Sequence, residues 1–531
     1  MYTHPLLSGA RYAIIGSTIR EAMPRNKQES VIAVNIRKII SGLLAAALLT
    51  ASLTACADVQ EPDDATGTDA GSETEAGGLV DNLPDDLDFK NDEVNIISRY
   101  REGWTAGEIS VEALNSDPVN DAVYERNRVV ENRLHIRINS IENHDNSDQT
   151  VTQLVSRAVH SNTGEYDICA TVCYWDMSEA LKGTFANLRA VDYLDFGQPW
   201  WSQGFNEVIE YKDTQYAVTG SIGLSLYRFT FATLFNKAMF DKAGVPYVYE
   251  AVRSGTWTLD YQASLVPLFH VDDGNGKQDQ KSDVFGFVSC SGLSTDPYWS
   301  SCQLSILEKD DNGEYAAVMD TDRTSEAVDK ILHLFYETDG ASLILPEVSY
   351  NYEQDDIRSI FSEGRAAMAT MRLMELEIAD MRDMSDAYGV APIPKLDAAQ
   401  TGYRTFMHDQ FTVFSVLTTV TGDRLDEMGA VLECMGVEGE RTIKPAYYET
   451  ALRYKYMKDP ESWDMMNILV DNIYIDAGII FISELNSYHH SLRDQIIAKR
   501  NNVASTFKNK NRQLEKAVGN INKKLNKLAG E

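Results

Sequence analysis

Three runs decide the fold: EVNIISRY at 93–100, PVNDAVYERNRVVENRLHIRI at 118–138 and YDICATVCYWD at 166–176. Val94 to Ser98 is short and rich in β-branched side chains, which predicts a strand. Asp117 predicts an N-cap, with Pro118 at the first helical position and Val, Tyr and Val on one face through Arg133. Leu134 to Ile138 alternates as a second strand, Thr150 to His160 is helical, and Tyr166 to Thr171 is a third strand. Strand, helix, strand, helix, strand predicts a mainly parallel sheet covered by helices. Ligands of such sheets sit beyond the carboxyl ends of the strands. Arg99 and Tyr100, after the first strand, and Tyr174, Trp175 and Asp176, after the third, are therefore expected beside one crevice.

Upstream of this unit the composition changes twice. Arg37 and Lys38 precede an apolar run, Ile39 to Leu49, followed by Leu-Thr-Ala-Cys at 53–56. A charged segment, about a dozen apolar residues and small residues before a cut describe an export signal over 37–56, too short to span a bilayer comfortably. Its ending resembles the bacterial lipobox, which predicts diacylation of Cys56 and tethering to the extracytoplasmic face of the cell membrane. The alternative is a buried helix with an incidental Cys. Residues 1–36 do not fit this scheme and are assigned no structure; translation beginning nearer Met23 would account for them. Residues 57–92 are rich in Asp, Glu, Gly, Thr and Ala, and predict a disordered acidic tether with a mean reach of roughly 30–36 Å.

The whole chain has 531 residues and a formal charge of -32. Its length allows several compact units, and its acidity argues against a nucleic-acid partner, which would require an excess of Lys and Arg. Beyond Cys56 there are Cys169, Cys173, Cys290, Cys302 and Cys434, an odd number without a CxxC pair; no disulfide framework follows, and Cys290 with Cys302 is the one near pair to test. No Walker loop, GxSxG elbow or HExxH motif occurs, so no enzyme is predicted.

Several segments, in order, resemble the bacterial extracellular solute-binding proteins of the sugar-binding type (family 1), the lipoprotein receptors of ABC importers. They are YDICATVCYW at 166–175, LFNKAMFDKAGVPYVYEAVRSGTWTLD at 234–260, EGRAAMATMR at 363–372 and GVAPIPK at 389–395. The resemblance spans about residues 93–475. It implies a two-lobed, periplasmic-binding-protein-like α/β fold of type II, each lobe a mixed, mainly parallel sheet flanked by helices, with hinge strands between. Lobe 1 is expected at 93–228 plus about 408–475, and lobe 2 at 229–407 plus about 476–531, with hinges at 223–229 and 408–414. It further implies a monomer that captures a sugar or oligosaccharide and delivers it to a membrane permease. Where relatives carry an aromatic beyond the Ala-Met strand, this chain has Arg372-Leu373-Met374, which puts the stacking geometry and the identity of the sugar in doubt.

The residues themselves bear on ligand binding. An aromatic face fits the C–H face of a sugar ring, and hydroxyls take charged or amide partners at its rim. Tyr174, Trp175 and Asp176 supply both kinds; the alternative for Trp175 is packing between sheet and helix. Trp299 is a candidate from the second lobe, or else core. Arg372 is a candidate hydrogen-bond donor to hydroxyls or a carboxylate, or else a structural ion pair. Arg99 and Asp409 complete the binding set. Asp273, Asn275, Asp279 and Asp283 resemble an EF-hand-like calcium loop, but Val271 occupies the first ligand position and Asp283 falls one residue late; a solvated acidic turn is the alternative, and no cofactor is otherwise expected. Trp200 and Trp201 are read as packing in the first lobe, and 443–466 as two helices. Residues 498–527 are read as an amphipathic helix with its basic face in water. Two other functions stay open: the same fold binding a peptide or acidic solute, and a surface glycoside hydrolase.

Overall fold

The computed structural model describes residues 79–530 apart from 146, 148, 277–280, 291, 345–351 and 454–459. The expected signal, Cys56 and residues 57–78 of the acidic tether lie outside the described residues; the rest of that stretch, 79–92, is packed and not disordered, with Leu83 buried, Arg133 pairing with Asp81 at 2.6 Å and Asp92 opening the first strand. Ala76–Glu531 pack as one compact unit, built on two mixed sheets and one small hairpin.

The first sheet has the order β11-β3-β1-β2. Its strands are β1 (Asp92–Arg99), β2 (Ile136–Asn143), β3 (Ile168–Val172) and β11 (Thr412–Val416). β1 runs parallel to β2 and to β3, whereas β11 returns antiparallel to β3. The connections are α1 (Pro118–Leu134) and α2 (Gln149–Ser161), as the sequence pattern requires. The Asp117 carboxylate accepts from the amides of Val119 and Asn120, with Pro118 following it; it satisfies two of the amides that every helix start leaves without partners. β3 is buried along its whole length, which explains why it reads as a continuous apolar run and not as an alternating one.

The second sheet has the order β10-β4-β9-β5-β8. It comprises β4 (Phe231–Asn236), β5 (Phe285–Cys290), β8 (Ala341–Ile344), β9 (Ala366–Arg372) and β10 (Tyr388–Ala391). β5 is parallel to β8 and β9, while β4 is antiparallel to β9 and β10. β6 (Leu307–Lys309) and β7 (Tyr315–Ala317) form the hairpin. After β3 the helices that matter below are α3 (Cys173–Ala180), α4 (Pro297–Ser301), α5 (Thr321–Leu332), α6 (Tyr352–Ser362), α7 (Asp423–Arg453), α8 (Pro460–Asp471), α9 (His490–Ile497) and α10 (Val503–Leu528).

The chain crosses between the sheets side by side. The Phe231 amide donates to the Phe406 carbonyl at 3.0 Å, and the His408 amide to that of Phe229 at 2.9 Å, so the segments expected as hinges pair as a short antiparallel ladder. A third crossing joins them where the Thr405 amide donates to Asn472 and Tyr474 donates back to Thr405. α7 lies on α1, with the first sheet, but α8 packs on β10 of the second. The grouping of 408–475 with the first sheet therefore ends before α8: Tyr249 and Ser462 hydroxyls meet at 2.8 Å, and Arg253 pairs with Glu461. The two helices expected over 443–466 are the C-terminal part of α7, which runs through Pro445, and the start of α8.

Trp200 and Trp201 are buried, and the Trp201 indole donates to Glu433 on α7 at 3.1 Å. α10 buries Val503, Phe507, Leu514, Val518, Ile521 and Leu525, a stripe at helical spacing, against α5 and β7. Cys169, Cys173, Cys290, Cys302 and Cys434 are all buried, and none forms a disulfide. The Cys290–Cys302 bridge is not formed in this structure.

Candidate functional site between the lobes

Both sheets deliver arginines to the seam between them. Arg99 ends β1 and Arg372 ends β9. Each is only 4 % exposed. Between them stands Trp104, half-buried on the loop that follows β1, with the Arg101 guanidinium 3.9 Å from its ring centroid and that of Arg372 at 4.5 Å. A ring held between two guanidinium planes is fixed in orientation and fixes theirs. Trp104 also meets Phe229 and His408 edge-on, at 5.5 and 5.7 Å.

Each charge has identifiable neighbours. Arg99 donates to the Gln410 carbonyl, and Arg101 to the Gln410 side-chain oxygen at 3.1 Å. Arg372 donates to one oxygen of Glu375 at 2.7 Å, while Arg358 takes the other at 2.7 Å. Arg493, on α9, holds Asp296 through Nε and Nη2. His408 Nε2 lies 3.2 Å from Asp409. Burial, then Arg372, Arg99, Arg493 and Arg101, push the His408 pKa well down, so the imidazole is neutral at physiological pH. Burial, with Asp296 next, raises Asp409 to about 7 against the opposing pull of Arg493 and Arg99.

Arg99, Arg372 and Asp409 thus belong to one buried cluster. Tyr174 and Trp175 are half-buried and pack against each other at 5.2 Å in the first turn of α3. The chain passes directly from β3 into this helix, not into a loop, and successive residues turn by about 100°. Asp176 therefore rotates inward, away from the expected rim. It is fully buried, accepts from Ser415 on β11 at 2.8 Å, and is pushed well above the usual carboxylate range by burial. α3 faces the second lobe: the Ser178 hydroxyl donates to Glu484 at 2.8 Å. Trp299 is 2 % exposed, and its indole N–H donates to the His489 carbonyl at 2.6 Å, so it packs behind the seam and does not project into it.

Arg101, Trp104, His408, Asp296 and Arg493 are part of the cluster but absent from the sequence-derived set. Trp104 carried a legible signal, since its loop leaves the carboxyl end of β1. Nothing local marks Arg493, which arrives from 84 residues further along than Asp409. Beside the cluster lies a cavity of 310 Å³ lined by Ala106, Gly107, Leu224, Arg228, Glu377 and Tyr447 among others. Arg228 closes it by pairing with Glu377 at 3.0 Å and donating to the Trp104 carbonyl. A larger cavity, 840 Å³, opens elsewhere between the two lobes, where Arg404 covers the Tyr474 ring at 3.9 Å.

In the acidic loop, Asp283 is buried and accepts from the Asp273 amide at 3.1 Å, and Asp273 accepts from the Asn275 amide at 2.9 Å. These carboxylates brace the turn through its own backbone. Asp279 lies outside the described residues, and among the described residues no group of three or more His, Cys, Asp or Glu is placed to hold a metal. No described helix is long and apolar enough to cross a membrane.

No family model matches the chain, and no curated protein does either. Solved structures do. One is a sugar transporter of Rhizobium etli in an open conformation, 14 % identical over 80 % of this chain and 99 % of its own, with a TM-score of 0.53. Others are UgpB of Mycobacterium tuberculosis in complex with glycerophosphocholine (16 % identity, 76 % and 97 % coverage, TM-score 0.49) and the GacH receptor of Streptomyces glaucescens (16 %, 83 % and 99 %, 0.47). The chain has the two-lobed, periplasmic-binding-protein-like α/β fold.

Proposed function

We propose that the protein is the substrate-binding component of an ABC importer, capturing a sugar, oligosaccharide or polyol between its lobes and releasing it, chemically unchanged, to a permease. The observation that carries this reading is the seam itself. Residues from the carboxyl ends of strands in both sheets meet there around an aromatic ring, and the chain segments linking the sheets run together, so a small change at 229–231 and 406–408 would part the lobes. In this reading Cys56 bears the lipid, the acidic stretch that follows it, up to about residue 78, lifts the domain off the membrane, and the protein works as a monomer on the extracytoplasmic face. Tyr174 and Trp175 offer the first surface to a ring, and Arg99, Arg372 and Asp409 address polar groups.

Calorimetric titration with a panel of sugars, polyols and oligosaccharides is the test. Micromolar binding without product formation is expected, corresponding to about -8 kcal/mol; hydrolysis of a glycan by the purified protein would replace this reading with the glycoside hydrolase. Trp175→Ala should weaken binding about tenfold, consistent with one aromatic stacking contact, and unchanged affinity would remove Trp175 from the site.

A further inference from the structure

We propose that the ligand carries an anionic group, a carboxylate or a phosphate on a carbohydrate or polyol frame, and that Arg372 is its principal partner. This rests on the solute-binding reading above and narrows it. The first argument is charge. Arg99, Arg101, Arg372 and Arg493 surround His408, and all four bear on its titration. Carboxylates beside the same cluster include Asp296, Glu375 and Asp409. Asp296 is engaged by Arg493, and Glu375 is shared between Arg372 and Arg358. Glu375 is thus divided between two arginines, and Arg372 holds only one of its oxygens. His408 adds no negative charge. In a chain of net charge -32, a buried gathering of arginines runs opposite to the rest of the molecule.

The second argument is hydrogen bonding. Arg372 is 4 % exposed, yet its Nε and Nη1 have no hydrogen-bond partner among the described residues. A buried guanidinium with two unsatisfied donors is costly, and the group that satisfies both charge and donors is an oxyanion. The Trp104 ring, 4.5 Å away, holds the guanidinium plane still. A neutral hydroxyl would satisfy a donor but leave the charge.

The experiment is calorimetry on the full chain in a zwitterionic buffer, pairing galacturonate with galactose, glucose 1-phosphate with glucose, and glycerol 3-phosphate with glycerol. At least one anionic member should bind tenfold or more tightly than its neutral counterpart, and raising NaCl from 50 to 500 mM should weaken it. The carboxylate and phosphate arms identify which oxyanion is preferred. Arg372→Gln should abolish the preference, and the partly exposed Arg101→Gln, measured in parallel in case the first variant does not fold, should reduce it. Neutral members bound as tightly as their charged partners would overturn the inference and leave the solute-binding reading standing. Failure of every carbohydrate and polyol, charged or neutral, to bind would instead overturn that reading.

Discussion

Asp409 sits where two demands conflict. Burial and the neighbouring Asp296 favour its protonated form, while Arg493 and Arg99 favour the charged one, and the balance leaves its pKa at about 7. An acid whose folded pKa exceeds its unfolded value near 4 binds more protons in the folded state. Its contribution to stability is therefore greatest below pH 4 and is lost as the pH rises through 7. Asp409→Asn is expected to stabilise the protein by roughly 2 kcal/mol at pH 8 and to have no such effect at pH 4; urea unfolding at both values checks the sign. The residues read from sequence in this region, Arg99, Arg372 and Asp409, were legible because strand ends and crossings are the positions where a parallel architecture places ligands. Asp176 and Trp299 lie in the interior for a common reason. Each lies in the first turns of a short helix, where a rotation of one residue decides between seam and interior, and that rotation is set by packing that no local pattern records.

Elements were more legible than contacts. β1, α1, β2, α2 and β3 all follow from alternation, capping and helical spacing, and α10 shows its buried stripe in the order of its apolar residues. α7 continues through Pro445, where a proline ordinarily ends a helix, and packs on α1. α7 also makes a close approach at Gly439, where an added Cβ would fall 1.9 Å from the Ser221 carbonyl oxygen. That carbonyl belongs to the segment preceding the crossing, and the Ser221 hydroxyl is itself bonded to Glu440 and Tyr227. Gly439→Ala must push the helix off this segment and is expected to cost about 2–3 kcal/mol, seen as a lowered urea midpoint with an unchanged slope. Gly436→Ala, whose Cβ would meet the Trp200 and Trp201 side chains instead of backbone, tests the first lobe alone.

Across the molecule, several buried carboxylates are raised by desolvation, among them Asp409 to about 7, Glu433 to about 7 and Asp476 to about 6. All three bind protons more readily folded than unfolded, and a chain of charge -32 repels itself increasingly as protons leave. Both effects have the same sign, so the melting temperature should rise as pH is lowered from 8 to 6, and added salt at pH 8 should recover part of the difference. A melting temperature that falls over this interval would mean that paired surface carboxylates dominate instead. The two-sheet plan was legible in the order of the segments, whereas the allocation of α8 to the second sheet was not, because it depends on Tyr249 and Arg253, some two hundred residues away. The sealed thiols have a practical corollary. With Cys302 and Cys434 pushed to about 12 and Cys169 and Cys173 raised well above the ordinary range by burial, these native sulfurs will be slow to react with maleimides. A dye pair attached to one engineered surface cysteine on each sheet's outer helices would then report clamp opening by energy transfer, without first stripping the chain of its own cysteines.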